Sequence, residues 1–275
     1  MSDGVVIGVD SATTIGDPSS PAKIYDDVPK LFPLGSLAIG IATFGVASFA
    51  DRSIGSWISE LVGVIESDDS CKGRTMAEMA EFVREFFWKA YSGHLATTFD
   101  ARGIGVSNID RDPLPEGTPV LGLVLGGFGS GSFCSEVWSI MLPNHRAAGS
   151  SIQILAQKHF GAAWFAADGP IVRYVHGIEH ETVERLAEYV DEIREPMTQE
   201  ERSHFWELAL SAKYDVVFNG MPISKAIKFV RFLIDLVINH HVFTMGSPIV
   251  GGRCKVGYVT HERLGFKMIE EWRKS

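Results

Sequence analysis

The stretch Gly4-Val-Val-Ile-Gly-Val-Asp10 is short and rich in β-branched residues, a composition typical of a β-strand. The dipeptide Asp3-Gly4 stands at its start, and Asp-Gly favours a two-residue hairpin turn when strand-like sequence flanks it. Because such sequence follows the turn but does not precede it, we expect a partner strand of about five to eight residues upstream. This pattern predicts that the natural reading frame starts before Met1.

Strands and then two helices are predicted after this first strand. Residues 23–25 and 31–44 read as further strands,. Residues 51–66 and 75–95 carry apolar side chains at three- and four-residue spacings, which indicates two amphipathic helices. Thr75, with Glu78 three positions later, predicts a capping box at the start of the second helix.

The second half of the chain repeats this alternation. Residues 120–128 and 136–141 predict an antiparallel strand pair joined through a glycine-rich segment. Helices are expected at 179–189, 199–211 and 222–240, and a last strand at 253–260. This order predicts an α+β chain, with antiparallel sheets sandwiched between layers of helices in one domain over residues 1–275.

Composition excludes several classes of protein. Of the 275 residues, 45% are hydrophobic and 21% are charged, which is the balance of a soluble globular protein. A net charge of −9, without a basic patch, argues against nucleic-acid binding. The three cysteines, Cys71, Cys134 and Cys254, form no CxxC pair, so neither a disulfide framework nor a zinc site is indicated. We expect a cytoplasmic protein, because the N-terminus also lacks a secretory signal.

One uncharged segment, residues 31–50, has the length of a transmembrane helix,. Pro33, Gly35, Gly40 and Gly45 interrupt it, and these residues suit short buried strands joined by turns. We therefore expect no membrane span here.

Four stretches, in this order along the chain, resemble proteasome-type subunits. Gly4 to Thr13 is similar to the second strand of the β-type subunits, Lys23-Ile-Tyr25 to the segment after it, and Thr43-Phe-Gly45 to the next loop. Residues 226–235, together with 248–252, resemble the last helix and the strand entry of bacterial proteasome-like proteins. Residues 103–119 and 193–214 have no counterpart in the family, and we interpret them as insertions.

The resemblance implies a four-layer αββα sandwich and an N-terminal-nucleophile hydrolase that cleaves peptide or protein substrates without a cofactor or metal. In this family a threonine hydroxyl attacks and its own α-amine acts as base. By motif position, Asp10 would orient the site, and Lys23 would lower the pKa of the hydroxyl. Gly45 would donate its backbone N–H to the oxyanion, and Asp168 would be a supporting polar residue. The family also implies self-association into a homo-oligomer.

Each of these residues also has a purely structural interpretation. Asp10 follows a strand, where an aspartate often caps a turn. Lys23 would by default be an exposed lysine, and Gly45 in an apolar run is typical of a turn or bulge.

The nucleophile itself has two weaker candidates within the chain. Ser2 becomes N-terminal when Met1 is removed, but it lies on the turn, so its amine would be displaced by most of a strand length, roughly 15–20 Å. Thr13-Thr14-Ile-Gly16 resembles the start of a mature subunit, yet release at this point would discard Asp10. We interpret Thr13 and Thr14 as the turn after the first strand.

Other motifs suggest competing functions. His176 and His180 have a spacing found in metal sites, but Gly177 between them indicates a turn. The glycine-rich residues 126–131 resemble a phosphate-binding loop, although a strand rather than a helix is expected after them. The alternative function is that of a non-catalytic structural or binding subunit of a proteasome-like assembly. Proteasome-type folds also form structural subunits that have no nucleophile.

Overall fold

The computed structural model describes residues 4–17, 20–103, 117–143, 152–155, 160–211, 216–244, 250–262 and 264–269. Within these ranges the chain is mixed α+β. The strands are β1 Gly4–Val9, β2 Thr13–Asp17, β3 Ser20–Tyr25, β4 Leu31–Pro33, β5 Ile39–Gly45, β6 Ser48–Phe49, β7 Arg52–Ser53, β8 Leu121–Gly127, β9 Glu136–Leu142, β10 Ile152–Leu155, β11 Lys255–Thr260 and β12 Lys267–Ile269. The helices are α1 Ile54–Ser67, α2 Met76–Ala101, α3 Gly169–His176, α4 His180–Ile193, α5 Gln199–Leu210 and α6 Ile223–Phe243, with a 3₁₀ turn at Asp69–Gly73.

Two antiparallel sheets organise these elements. The larger has the strand order β10-β9-β8-β5-β4 and the smaller the order β1-β11-β12, and β2–β3 and β6–β7 form separate hairpins. The predicted antiparallel pairing of 120–128 with 136–141 is confirmed, since β8 pairs with β9 along its whole length.

Helices α1 and α2 cover one face of the larger sheet. Because side chains alternate along a strand, β8 directs Leu121, Leu123 and Leu125 into this helix-covered core. Trp57 and Phe86 pack against the same core, so the two aromatic side chains make contacts within the chain. Burial of each large apolar side chain of this kind stabilises the fold by about 1.5–3 kcal/mol.

The opposite face of the larger sheet packs against the smaller sheet. Val124 of β8 meets Val5 of β1 and Val259 of β11 in one buried cluster. The contact is close: a Cβ at Gly126 would lie 2.8 Å from a methyl carbon of Val5. On the far side of β1, helix α6 approaches so closely that a Cβ at Gly8 would lie 2.4 Å from Val230.

The structure shifts several predicted boundaries and adds elements. Helix α1 starts at Ile54 rather than 51, because Ser53 caps it by accepting a hydrogen bond from Ser56 N–H. The segment 31–44 divides into β4 and β5 at a turn. The sequence analysis interpreted Thr13 and Thr14 as a turn, and this prediction is wrong. The two residues begin strand β2.

Segment 31–50 forms strands, as predicted. No helix in the described ranges is both long and apolar enough to cross a lipid bilayer. Of the predicted insertions, 103–119 lies mostly outside the described residues, and 193–214 includes helix α5.

The capping box predicted for the second helix is present. Thr75 Oγ1 accepts from the backbone N–H of Glu78 at 3.3 Å, and Thr75 N–H donates to the Glu78 carboxylate at 2.8 Å. This backbone hydrogen bond lowers the pKa of Glu78. The ionised Glu78 carboxylate therefore contributes fully to stability at neutral pH. This contribution is lost as the pH falls through the lowered pKa.

Removal of the cap by Thr75→Ala is expected to lower the free energy of unfolding by about 1 kcal/mol, because one N–H at the start of α2 loses its acceptor. Urea denaturation followed by circular dichroism measures the change. Thr75→Ser keeps the hydroxyl and should restore most of the stability. An equal loss in both variants would show that the hydroxyl does not act as the cap.

Candidate active site

Asp10 lies immediately after β1, and three donors hold its carboxylate. The ammonium of Lys30 lies 2.7 Å from Oδ1. Oδ2 accepts from the backbone N–H groups of Ala12 and Gly251, both at 3.2 Å. The Asp10 and Lys30 side chains are only 15% and 19% exposed. Solvent therefore weakens the attraction between them less than it would in a surface ion pair.

Lys30 was not among the residues singled out from the sequence. It directly precedes β4, and its carbonyl accepts a hydrogen bond from Thr43 N–H of β5 at 2.8 Å. The pairing of β4 with β5 therefore sets the position of Lys30. The sequence feature that could have identified Lys30 is its position directly before a short apolar strand, much as Asp10 directly follows β1.

Lys23 lies elsewhere, in strand β3 of the separate β2–β3 hairpin. Its side chain is exposed, and its Nζ atom lies 4.5 Å from the ring centroid of Tyr25. The lysine that contacts the Asp10 carboxylate is Lys30. The role that the family resemblance gives to Lys23 stays a prediction, and the geometry offers Lys30 as a second candidate for it.

Gly45 ends β5 in a conformation that favours glycine. Its φ is 84°, in the left-handed region. A Cβ there would lie 2.0 Å from the carbonyl oxygen of Val120, the same oxygen that accepts a hydrogen bond from Val46 N–H at 3.0 Å. The tight turn explains the glycine, and the exposed backbone at this point is compatible with the predicted contact to an oxyanion.

Asp168 occupies the position before helix α3. Its carbonyl accepts from the N–H groups of Ile171 and Val172, both at 2.9 Å, while its side chain makes no capping hydrogen bond. The preceding residue, Ala167, lines the cavity described next. Asp168 therefore directly follows a cavity-lining residue in the sequence, and its supporting role stays a prediction.

A cavity of about 250 Å³ runs along the whole of β1 and reaches Asp10. One wall is formed by the larger sheet, from Ala42, Phe44, Val124 and Val137. Helix α6 forms the facing wall, chiefly from Phe229, Val230, Leu233 and Val237, and the segment 161–167 closes the side. The lining is mostly apolar, and Asp10 lies at one end.

Within the described residues, one edge of strand β1 is unpaired. It is the terminal strand of the smaller sheet, with β11 on one side. Within the described residues no strand pairs with its other side, although every residue of β1 lines the cavity. Such an edge exposes unpaired backbone N–H and C=O groups, which form hydrogen bonds with an added strand.

The thiols offer no activated nucleophile at two of the three cysteines. Burial, with a smaller contribution from the Asp235 charge, raises the pKa of Cys254 to about 12. Burial also raises the pKa of Cys71. Both therefore stay protonated at neutral pH, whereas the thiolate is the reactive form.

The other candidates from the sequence are not assembled into a site by the structure. Ser2 lies outside the described residues, and Thr13 is the first residue of β2, where it pairs with Tyr25. His176 ends α3 and His180 begins α4, with Gly177 in a left-handed conformation between the two helices. The glycine-rich segment leads into strand β9 rather than a helix.

No family model matches the sequence, and no curated protein matches it.

Proposed function

We propose that the protein is a proteasome-type amide hydrolase with a four-layer αββα fold, whose nucleophile is carried on a strand that pairs with the free edge of β1. The observation that carries this proposal is the apolar cavity along that edge, which reaches Asp10, the ion-pair partner of Lys30. The packing order of α1 and α2, the larger sheet, the smaller sheet and α6 supports the fold.

The direction of an added strand determines which of its ends would lie near Asp10. A segment joined to the start of β1 by a tight turn must run antiparallel to β1. Its far end, the N-terminal end, then lies beside Asp10 and Lys30. A chain terminus that carries both a hydroxyl and an α-amine would thus lie next to the ammonium of Lys30.

The proposed roles combine this geometry with the family resemblance. The α-amine of the terminal residue takes the proton from the attacking hydroxyl. Lys30 stabilises the developing alkoxide, a role in which it replaces Lys23, and Asp10 holds Lys30 in position,. The backbone N–H of Gly45 is proposed to stabilise the oxyanion. The cleaved bond is an amide in a peptide or protein.

Strand addition in trans tests the proposal directly. A seven-residue synthetic peptide, with threonine first and alternating valine and isoleucine after it, should raise the melting temperature by filling the cavity. The same peptide with an acetylated α-amine, or with valine in place of threonine, should raise it equally. Only the free-amine threonine peptide should release fluorophore from a peptidyl-aminocoumarin substrate.

The outcomes separate the parts of the proposal. No stabilisation by any of the three peptides would show that the edge of β1 does not accept a strand. Stabilisation by all three without hydrolysis would favour a non-catalytic subunit. Intact-mass and N-terminal sequencing of the protein from its native host would then establish whether the mature chain begins with such a strand.

A further inference from the structure

Ser11, next to Asp10, is fully buried and makes an unusual set of hydrogen bonds. Its side-chain oxygen accepts from the backbone N–H of Arg253 at 2.7 Å and from that of Asp27 at 3.2 Å. Its backbone N–H donates to the carbonyl of Gly251 at 3.2 Å, and its own carbonyl accepts from Val28 N–H at 2.9 Å. One residue therefore joins two segments that are distant in the sequence.

These two segments are the ones that supply partners to Asp10. Residues 27–28 lead directly to Lys30, whose ammonium contacts Oδ1, and residues 251–253 include Gly251, whose N–H contacts Oδ2. A displacement of either segment would move a donor away from the carboxylate. The hydroxyl of Ser11 thus lies at the junction that sets both contacts.

The backbone around the hydroxyl is constrained on both sides. Asp27 has a φ of 70°, which is unfavourable for a residue other than glycine and needs support from its surroundings. Gly252 has a φ of 69°, and a Cβ there would lie 2.5 Å from Ser11 Oγ. The left-handed conformation and the close approach both require glycine at position 252.

We propose that Ser11 is a positioning residue, whose buried hydroxyl sets the geometry of the Asp10–Lys30 pair by joining the segments that deliver Lys30 and Gly251. The predicted effect of Ser11 on hydrolysis rests on the proposed function. The effect of Ser11 on the Asp10–Lys30 pair does not, because the hydrogen bonds of Ser11 are part of the fold. Ser11 acts on the reaction through Asp10 and Lys30 and has no direct role in bond cleavage.

The test is the rate at which Lys30 is acetylated by an N-hydroxysuccinimide ester, followed by peptide mass spectrometry. The exposed Lys72 in the same sample serves as the internal reference. Ser11→Ala should raise the Lys30 to Lys72 rate ratio about fivefold, the factor expected when hydrogen bonds of ordinary strength are lost. Gly252→Ala, which keeps the hydroxyl but displaces it, should give the same direction of change.

Ser139→Ala is the matched control, because it removes a buried serine from β9, which pairs with Val124 and Ile152 of the larger sheet. An unchanged ratio in both Ser11→Ala and Gly252→Ala would overturn the proposal, as would an equal rise in Ser139→Ala. In hydrolysis assays with the free-amine threonine peptide added, Ser11→Ala should lower kcat without a change in KM. If the unsubstituted protein hydrolyses nothing even with the free-amine threonine peptide added, the catalytic part of the proposed function fails, and the acetylation ratio alone decides on Ser11.

Discussion

Replacement of Lys30 by methionine is expected to lower the free energy of unfolding by about 2–3 kcal/mol, because it leaves the Asp10 carboxylate without its counter-charge. This is less than the cost of breaking a fully buried pair, since both side chains keep some solvent contact. Hydrolysis should fall about 10²- to 10³-fold, which is the usual effect of removing one group that stabilises the developing charge. Guanidinium denaturation measures the first effect, and steady-state kinetics with the free-amine threonine peptide added measure the second.

Two further lysine variants sharpen this prediction. Lys72→Met breaks the exposed pair with Asp69 and should leave stability and hydrolysis unchanged within error. Lys23→Met removes the lysine that the family resemblance indicated, and its exposed position predicts little effect. If Lys23→Met abolishes hydrolysis while Lys30→Met does not, the assignment of the catalytic ammonium to Lys30 is wrong.

Gly45→Ala is expected to destabilise the protein by about 3 kcal/mol, through left-handed backbone strain and a clash that must push β5 from β8. The clash is with the carbonyl oxygen of Val120, 2.0 Å from the added Cβ. Displacement of this turn should also remove hydrolytic activity, because the proposed oxyanion donor is the backbone N–H of Gly45. Thermal unfolding, followed in parallel with hydrolysis, measures both effects.

Two other glycines provide the controls for strain and for clash. Gly131 has a φ of 71°, but a Cβ there would meet nothing within 4 Å, so Gly131→Ala should cost only the strain, about 1–2 kcal/mol. Gly63 lies within α1 with open space around it, so Gly63→Ala should stabilise the helix by up to about 1 kcal/mol. If Gly45→Ala costs no more than Gly131→Ala, the contact with Val120 does not constrain the turn.

The proposed active site illustrates where inference from sequence stops. Asp10 and Gly45 were selected from the sequence because they lie at ends of strands in stretches that resemble a known family. Lys23 was selected on the same basis, yet the structure pairs Asp10 with Lys30. Lys23 lies in strand β3 and Lys30 directly before β4, in the same part of the chain, and local composition does not show which of them contacts Asp10.

The sequence by itself determined the elements whose signal is local. Apolar residues at three- and four-residue spacings predicted α1 and α2, since this periodicity places them on one helix face. Thr75 and Glu78 predicted the capping box because both partners lie within one turn of helix. The antiparallel β8–β9 pair followed from two adjacent apolar runs joined by glycines.

Only the tertiary structure decided the short strands, the pairing of distant residues and the cavity. Strands β10 and β12 are held by pairing with β9 and β11, and such short segments have little intrinsic preference of their own. The contact between Asp10 and Lys30 depends on how β1 and β4 are placed in two different sheets. The free edge of β1 depends on strand order, which is set by long-range packing and leaves no periodic signal in the sequence.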